Sequence, residues 1–142
     1  RNDILFGYDN IQNFDEPVYL FEGIFDKIWF ERTRRQSLAL LGNTITKEQI
    51  IKLKQFKTVV LGLDNDTASF HMVSSALPLL TSGVNVEVWT PPSGVKDAND
   101  STIRQLIERI YVQEPIFTFI QRPEYITWAL ANRIAISYRN KR

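Results

Sequence analysis

The sequence predicts an α/β domain: a parallel sheet of four strands flanked by helices, with a helical extension at its C-terminal end. Three observations carry this. Short apolar runs alternate with segments of helical periodicity, the order that builds right-handed strand–helix–strand crossovers. Three of the four runs are continuously apolar, as strands covered on both faces require. The 142 residues are 44% hydrophobic and 23% charged, enough apolar material for one core of ordinary size.

The strands, in order, are "VYLF" (18–21), "SLALL" (37–41), "TVVLGL" (58–63) and "VNVEVW" (84–89). The fourth alternates, with Val84, Val86 and Val88 on one face, and is expected nearer an edge. After the first strand, Phe25, Ile28 and Trp29 share a helix face. "TKEQIIKLKQF" opens with Thr46 and carries Gln49 three residues on, a capping box. Residues 67–81 predict a third helix, bent near Pro78. "STIRQLIERIY" aligns Ile103, Leu106, Ile107, Ile110 and Tyr111, with Asp100 or Ser101 as N-cap. "PEYITWALANRIAISYRN" (123–140) starts with a helix-opening proline and spaces Ile126, Leu130 and Ile134 on one stripe. The domain is expected over residues 1–112, with 113–142 as a helical extension or a linker to another domain. The first residue is Arg rather than Met, which suggests a fragment or a processed product.

Composition removes several function classes. With no cysteine there is no disulfide framework and no Cys-ligated zinc or iron–sulfur site, a pattern that fits a reducing cytoplasm. No apolar run is long enough to span a bilayer and no signal peptide is visible. The net charge of +1 does not announce a nucleic-acid binder. Residues 113–142 carry five basic against two acidic groups, a mild excess that suits phosphate contact or a solvated helix face.

The chemistry lies in where the acids fall. Open parallel sheets collect their sites at the carboxyl ends of the strands. Glu22 directly follows the first strand, Asp64 and Asp66 follow the third, and Asp97 follows the fourth on "TPPSGVKDAND". Residues i and i+2 of an extended chain point the same way, so Asp64 and Asp66 can face one point. Carboxylates gathered without His or Cys suit a hard, oxygen-seeking cation, Mg²⁺ first among them. Two such ions can clamp the attacking and leaving oxygens of a phosphoryl displacement. Each acid alone has an ordinary reading: Asp66 as the cap of a helix from Thr67, Glu22 as a strand-end acid, Asp97, Asn99 and Asp100 as turn and cap. An EF-hand is excluded, because Ser69 stands where its loop needs Gly and no Glu follows at the twelfth position. Their shared rim is what favours the functional reading.

"LFEGIFDKIWF", "LALLGNTITKEQI", "VVLGLDNDTAS" and "PPSGVKDAND" resemble, in order and spacing, the motifs of a Toprim domain, over roughly residues 4 to 107. That Rossmann-like fold is shared by DnaG-type primases, topoisomerases and certain nucleases. The Glu-Gly-x-x-Asp form of Glu22, Gly23 and Asp26, the "LLGNTITKEQ" segment and the lead-in "ILFGYDNI" resemble the bacterial and phage primase branch. The resemblance implies metal-dependent nucleotidyl transfer: RNA primers made from NTPs on a single-stranded DNA template. Glu22 would position metal and help manage protons, and Asp64 and Asp66 would be the main Mg²⁺ ligands. Asp26 and Asp97 would support a second metal or the incoming triphosphate, and Gly23 would allow a tight turn beneath the site. Two ions are implied, with Mn²⁺ able to substitute. Also implied are a cytoplasmic setting and a replicative helicase, separate or fused, as partner.

Two positions depart from the primase pattern. Ser69 stands where glycine is usual after the aspartate pair, and Asn99 where a second acid usually follows Asp97. Lys27, Arg34, Arg35 and Lys96 are candidates for guiding phosphates. The alternatives are another Toprim enzyme, a nuclease or topoisomerase piece, and a non-catalytic Toprim scaffold that binds nucleic acid or a partner. The lone His71 is expected to be structural. Trp29, Trp89 and Trp128 are expected to pack, with base stacking as the lesser role.

Overall fold

The computed structural model describes residues 4–134. Its spine is a five-stranded sheet in the order β2-β1-β3-β4-β5. These strands are β1 (Val18–Phe21), β2 (Ser37–Ala39), β3 (Thr58–Gly62), β4 (Asn85–Trp89) and β5 (Glu114–Pro115). The first four run parallel, as expected, in a register that sets Leu20 beside Leu38 and Leu61, and Leu61 beside Val88. The expectation of four strands is corrected by β5, which pairs antiparallel with β4 through Val88 and Glu114. Two residues, one of them proline, carry no periodicity to read. The segment after 112 therefore begins by joining the sheet rather than as a plain helical extension. At the other edge, β2 ends at Ala39, but the Leu40 and Leu41 N–H groups still donate to Phe21 O and Glu22 O, and Leu41 takes φ 61°. The outer side of β2 is bridged by Phe6, which exchanges two backbone hydrogen bonds with Ala39.

Pleat alternation sorts the core into two layers. Val18, Leu20, Val59, Leu61, Val86 and Val88 face one side, against α2 (Lys47–Leu53), α3 (Phe70–Ala76), α4 (Pro78–Thr81), α6 (Ile116–Phe119) and α7 (Pro123–Ala131). Tyr19, Phe21, Val60 and Trp89 face the other, where Phe30 of α1 (Ile24–Phe30) and Leu106 of α5 (Ile103–Ile110) close over them. Right-handed crossovers dictate this split, because the chain leaves β1 in one direction and returns past it in the other.

Several helix details differ from the sequence expectation. On α1 the buried residues are Lys27 and Phe30; Phe25 and Ile28 face solvent, at 75% and 50% exposure. Phe30 has to meet Tyr19 and Phe21, and this fixes the helix rotation. The capping box of Thr46 and Gln49 forms as expected. Residues 67–81 open with a 3₁₀ turn, Thr67–Ser69, and continue as α3 and α4, joined by Leu77, which keeps helical dihedrals at φ −55° and ψ −35°. The hydrogen-bond ladder is interrupted at Pro78, where the bend is expected. The N-cap of α5 is Thr102, not Asp100 or Ser101; its hydroxyl accepts the Gln105 N–H. Leu106 is the buried point of that stripe, while Tyr111 is exposed. The buried face of α7 is Tyr125 and Ala129, with Leu130 turned outward. That helix ends at Ala131, and residues 135–140 of the expected run lie outside the described residues.

The tryptophans and His71 pack. Trp89 is fully buried and donates its indole N–H to Leu106 O, and Trp29 donates to Ser101 O. Trp128 meets Phe70 and the His71 ring edge-on. Among the described residues no helix is long and apolar enough to cross a membrane.

Candidate metal centre

The strand order reverses between β1 and β3, since β2 lies on one side of β1 and β3 and β4 on the other. At such a switch point the loops leaving the carboxyl ends part and open a crevice. Glu22 stands on the β1 lip and Asp64 on the β3 lip. Asp26 enters from the first turn of α1, and Asp97 from the loop that follows β4.

Oxygens of Asp26, Asp64 and Asp97 all lie within 4.8 Å of one another. The loop after β4 is brought there by Asn65. Its backbone N–H donates to Lys96 O at 2.7 Å, and its side-chain amide donates to Val95 O at 2.6 Å and Pro92 O at 2.9 Å. Asp97 accepts the Asp100 N–H at 2.9 Å, capping a 3₁₀ turn, Ala98–Asp100. The next link runs back to α1: the Asn99 N–H donates to Asp26 at 2.9 Å. Asn99 thus contributes to the centre through its backbone.

Glu22 and Asp66 sit beside this trio rather than in it. Glu22 accepts the Ser69 hydroxyl at 2.9 Å, and that hydroxyl in turn accepts the Asp64 N–H at 2.9 Å. Asp66 accepts the Ser69 N–H and caps the turn Thr67–Ser69. Asp64 joins Asp26 and Asp97, whereas an Asp66 carboxylate oxygen is taken up by the Ser69 N–H, so the two acids of the Asp-x-Asp pair make different first contacts. Asp64 and Asp66 do share the wall of a second hollow, about 260 Å³, with Phe70, Phe119 and Arg122. Glu22, Asp26 and Asp64 line a broader cleft with Gly23, Gly42 and Asn43.

Of the four basic candidates only Lys96 acts on the acids; its charge lowers the pKa of Asp26. Lys27 is buried, pairs with Glu31 at 2.6 Å and lies over the Phe6 ring, so it is committed elsewhere. Arg34 and Arg35 sit with Pro17 at the amino ends of β1 and β2, the end of the sheet opposite the acids. Gly23 is also corrected: its backbone is extended at φ −111°, and an added Cβ would meet only Asp26 at 3.6 Å. Two further residues of the site, Arg122, paired with Glu114 and stacked over Phe119, and Asn65, do not stand out in the sequence. The basic excess after residue 112 was the available signal for the first.

Burial is the leading cause of the raised pKa values here. It lifts Asp64 to about 7, helped by the charges of Glu22, Asp26, Asp97 and Asp66. Glu22 rises by burial and by the nearby Asp66 and Asp26, opposed by the Ser69 hydrogen bond. Asp26 rises by burial, opposed by the Asn99 N–H. A donor set made only of carboxylate oxygens, penalised for being ionised together, fits a hard divalent cation.

A carboxyl whose folded pKa is raised binds more protons folded than unfolded, so stability falls as pH climbs through the interval, here from about 4 to about 7 for Asp64. Ion-free protein is expected to melt lower at pH 8 than at pH 5. At pH 8, 10 mM Mg²⁺ is expected to raise the melting temperature by about 4 °C, if binding is near millimolar, and by clearly less at pH 5. Calorimetric scans with and without Mg²⁺ at the two pH values test this, and a larger Mg²⁺ effect at pH 5 would refute it.

Comparison with known proteins agrees with this geometry. A domain family described as Toprim-like matches residues 19–102. The DNA primase of Mycoplasma genitalium is 22% identical over 94% of this chain, and this chain spans 24% of that protein's length. A DNA primase domain from Pseudomonas aeruginosa superposes with a TM-score of 0.67 at 25% identity, covering 82% of this chain and 41% of that one. The DnaG primase catalytic domain bound to single-stranded DNA gives 0.63 at 20% identity, covering 81% and 41%. This chain belongs to the Toprim-like family, and within it the likeness runs to the Toprim domain of DnaG-type DNA primases.

Proposed function

We propose that this domain catalyses metal-dependent nucleotidyl transfer, building RNA primers from NTPs on single-stranded DNA. The observation that carries the reading is the meeting of Asp26, Asp64 and Asp97 within 4.8 Å at the switch point, with Glu22 held alongside. In the reaction the 3′-hydroxyl oxygen of the growing primer attacks the α-phosphorus of an NTP, the bond to pyrophosphate breaks, and the hydroxyl proton is released. Asp26, Asp64 and Asp97 would hold Mg²⁺ or Mn²⁺, which supplies charge neutralisation and a more acidic hydroxyl. Glu22, raised in pKa, is suited to accept the released proton. Lys96, whose charge reaches Asp26, and Arg122, which lines the hollow beside Asp64 and Asp66 while paired with Glu114, are candidate cations for phosphate oxygens.

The relatives support the reading by their names, and one is described as bound to single-stranded DNA. This domain spans about a quarter of the primase it matches along most of its length, so template grip is assigned to other parts of a longer protein. A helicase, separate or fused, and a cytoplasmic setting belong to the same proposal.

The test uses the longest natural chain that carries this domain, with single-stranded DNA, labelled NTPs and Mg²⁺. Oligoribonucleotides are the expected product. Nicking of supercoiled DNA without incorporation would favour a Toprim nuclease. Neither product, together with no anomalous Mn²⁺ signal at the acidic rim, would favour a scaffold.

A further inference from the structure

Ser69 is fully buried, yet its polar atoms reach three of the five acids on the rim. Its hydroxyl donates to Glu22 at 2.9 Å and accepts the Asp64 N–H at 2.9 Å, while its own N–H donates to the Asp66 carboxylate at 3.3 Å. A serine inside a helix can return its hydroxyl to a carbonyl three or four residues back. Ser74 and Ser75 on α3 do this, donating to His71 O and Met72 O. Ser69 instead donates to a carboxylate 47 residues away on another strand's loop. That bond joins the two lips of the switch-point crevice.

The electrostatics give the bond a task. Glu22 borders an open cleft and faces the like charges of Asp66 and Asp26. Released, its side chain would be free to rotate toward solvent, since the Ser69 hydroxyl is the side-chain hydrogen bond that holds it and the charge of His71 attracts it more weakly. We propose that Ser69 is a positioning residue: its hydroxyl fixes the Glu22 carboxylate beside Asp64 and so sets the affinity of the acidic rim for a divalent cation. The inference rests on the metal-binding reading above and adds to it a residue that touches no ion. Partners hydrogen-bonded to metal ligands typically cost 10- to 100-fold in metal affinity when deleted; Glu22 stands beside the trio, so the loss on freeing it is expected at the low end of that range.

The experiment is Mn²⁺ titration of the full 142-residue chain at pH 8, by calorimetry or by loss of the free Mn²⁺ resonance signal. Four forms are compared: the parent, Ser69→Ala, Glu22→Ala, and both together, with Ser69→Gly as a second way of removing the hydroxyl. Ser69→Ala is expected to weaken Mn²⁺ binding about tenfold when Glu22 is present and less than twofold when residue 22 is alanine. Equal losses in the two backgrounds would mean that Ser69 only props the fold, and the proposal would fall. Unchanged affinity in Ser69→Ala and Ser69→Gly would also overturn it. Failure of the parent to bind Mn²⁺ at all would remove the metal reading and this inference with it.

Discussion

Asp64→Asn is expected to lower primer synthesis about a thousandfold, roughly 4 kcal/mol of transition-state stabilisation, while making the ion-free fold more stable. The two effects have one origin. Asp64 belongs to the trio within 4.8 Å and carries the pKa raised to about 7, because burial and four neighbouring carboxylates oppose its charge. Asparagine keeps the shape and one oxygen but removes the charge. At pH 8 the folded chain no longer bears an ionised group there, a gain of about 1 kcal/mol once partial exposure is allowed for. That gain corresponds to a melting point about 3 °C higher, and it should shrink at pH 5, where the native aspartate is already protonated. Primer gels on the longest natural chain and calorimetry on this chain read the two halves separately. Undiminished synthesis would overturn the catalytic assignment. A lower melting point at pH 8 would overturn the account of strain at the rim. Such opposition between activity and stability is the usual signature of a site built against its own electrostatics.

How much of this was legible in the sequence depends on the range of the interaction. Strands β1, β3 and β4 follow from continuous or alternating apolar runs, and their ends locate Glu22, Asp64 and Asp97 at one rim. Thr46 and Gln49 announce their capping box because both partners lie within one helical turn. What did not show was orientation beyond the strand ends. Asp66 lies one residue past Asn65, and its carboxylate is taken up by the Ser69 N–H rather than joining Asp64. Asp26 reaches the trio because α1 is rotated by the demand of Phe30 for the layer of Tyr19, Phe21 and Trp89, while Glu22, at the end of β1, is drawn to the Ser69 hydroxyl. Arg34 and Arg35 looked available because charge alone says nothing about which end of the sheet a loop occupies. Lys27 looked available because charge alone does not show that its helix face is buried against the strand below and its ammonium paired with Glu31. Asn65 resembles any turn residue until its amide is seen to hold three carbonyls of the loop after β4.

The second large effect is structural and begins one layer below the acids. Gly62 pairs with Phe21 on one side and Trp89 on the other, and the Phe21 ring lies across its missing side chain. A Cβ at position 62 would sit 2.2 Å from Phe21 Cε1 and 2.5 Å from Cδ1, distances no real contact tolerates. The ring cannot simply swing aside, since it packs against Phe30 at 4.9 Å and edge-on to Trp89 at 5.9 Å, all of them fully buried. Gly62→Ala is therefore expected to destabilise the fold by about 3 kcal/mol and to lower the melting temperature by about 10 °C. Shortening the obstructing ring should relieve it: Phe21→Leu combined with Gly62→Ala should lose less than the two single changes added together, by more than 1 kcal/mol. Urea unfolding of the four forms measures this coupling, and strictly additive losses would show that the ring is not the obstacle. Because Asp64 follows Gly62 by two residues, any shift of the end of β3 should also weaken Mn²⁺ binding in the single variant. Recovery of that affinity in the double variant would tie the aromatic layer to the geometry of the acidic rim.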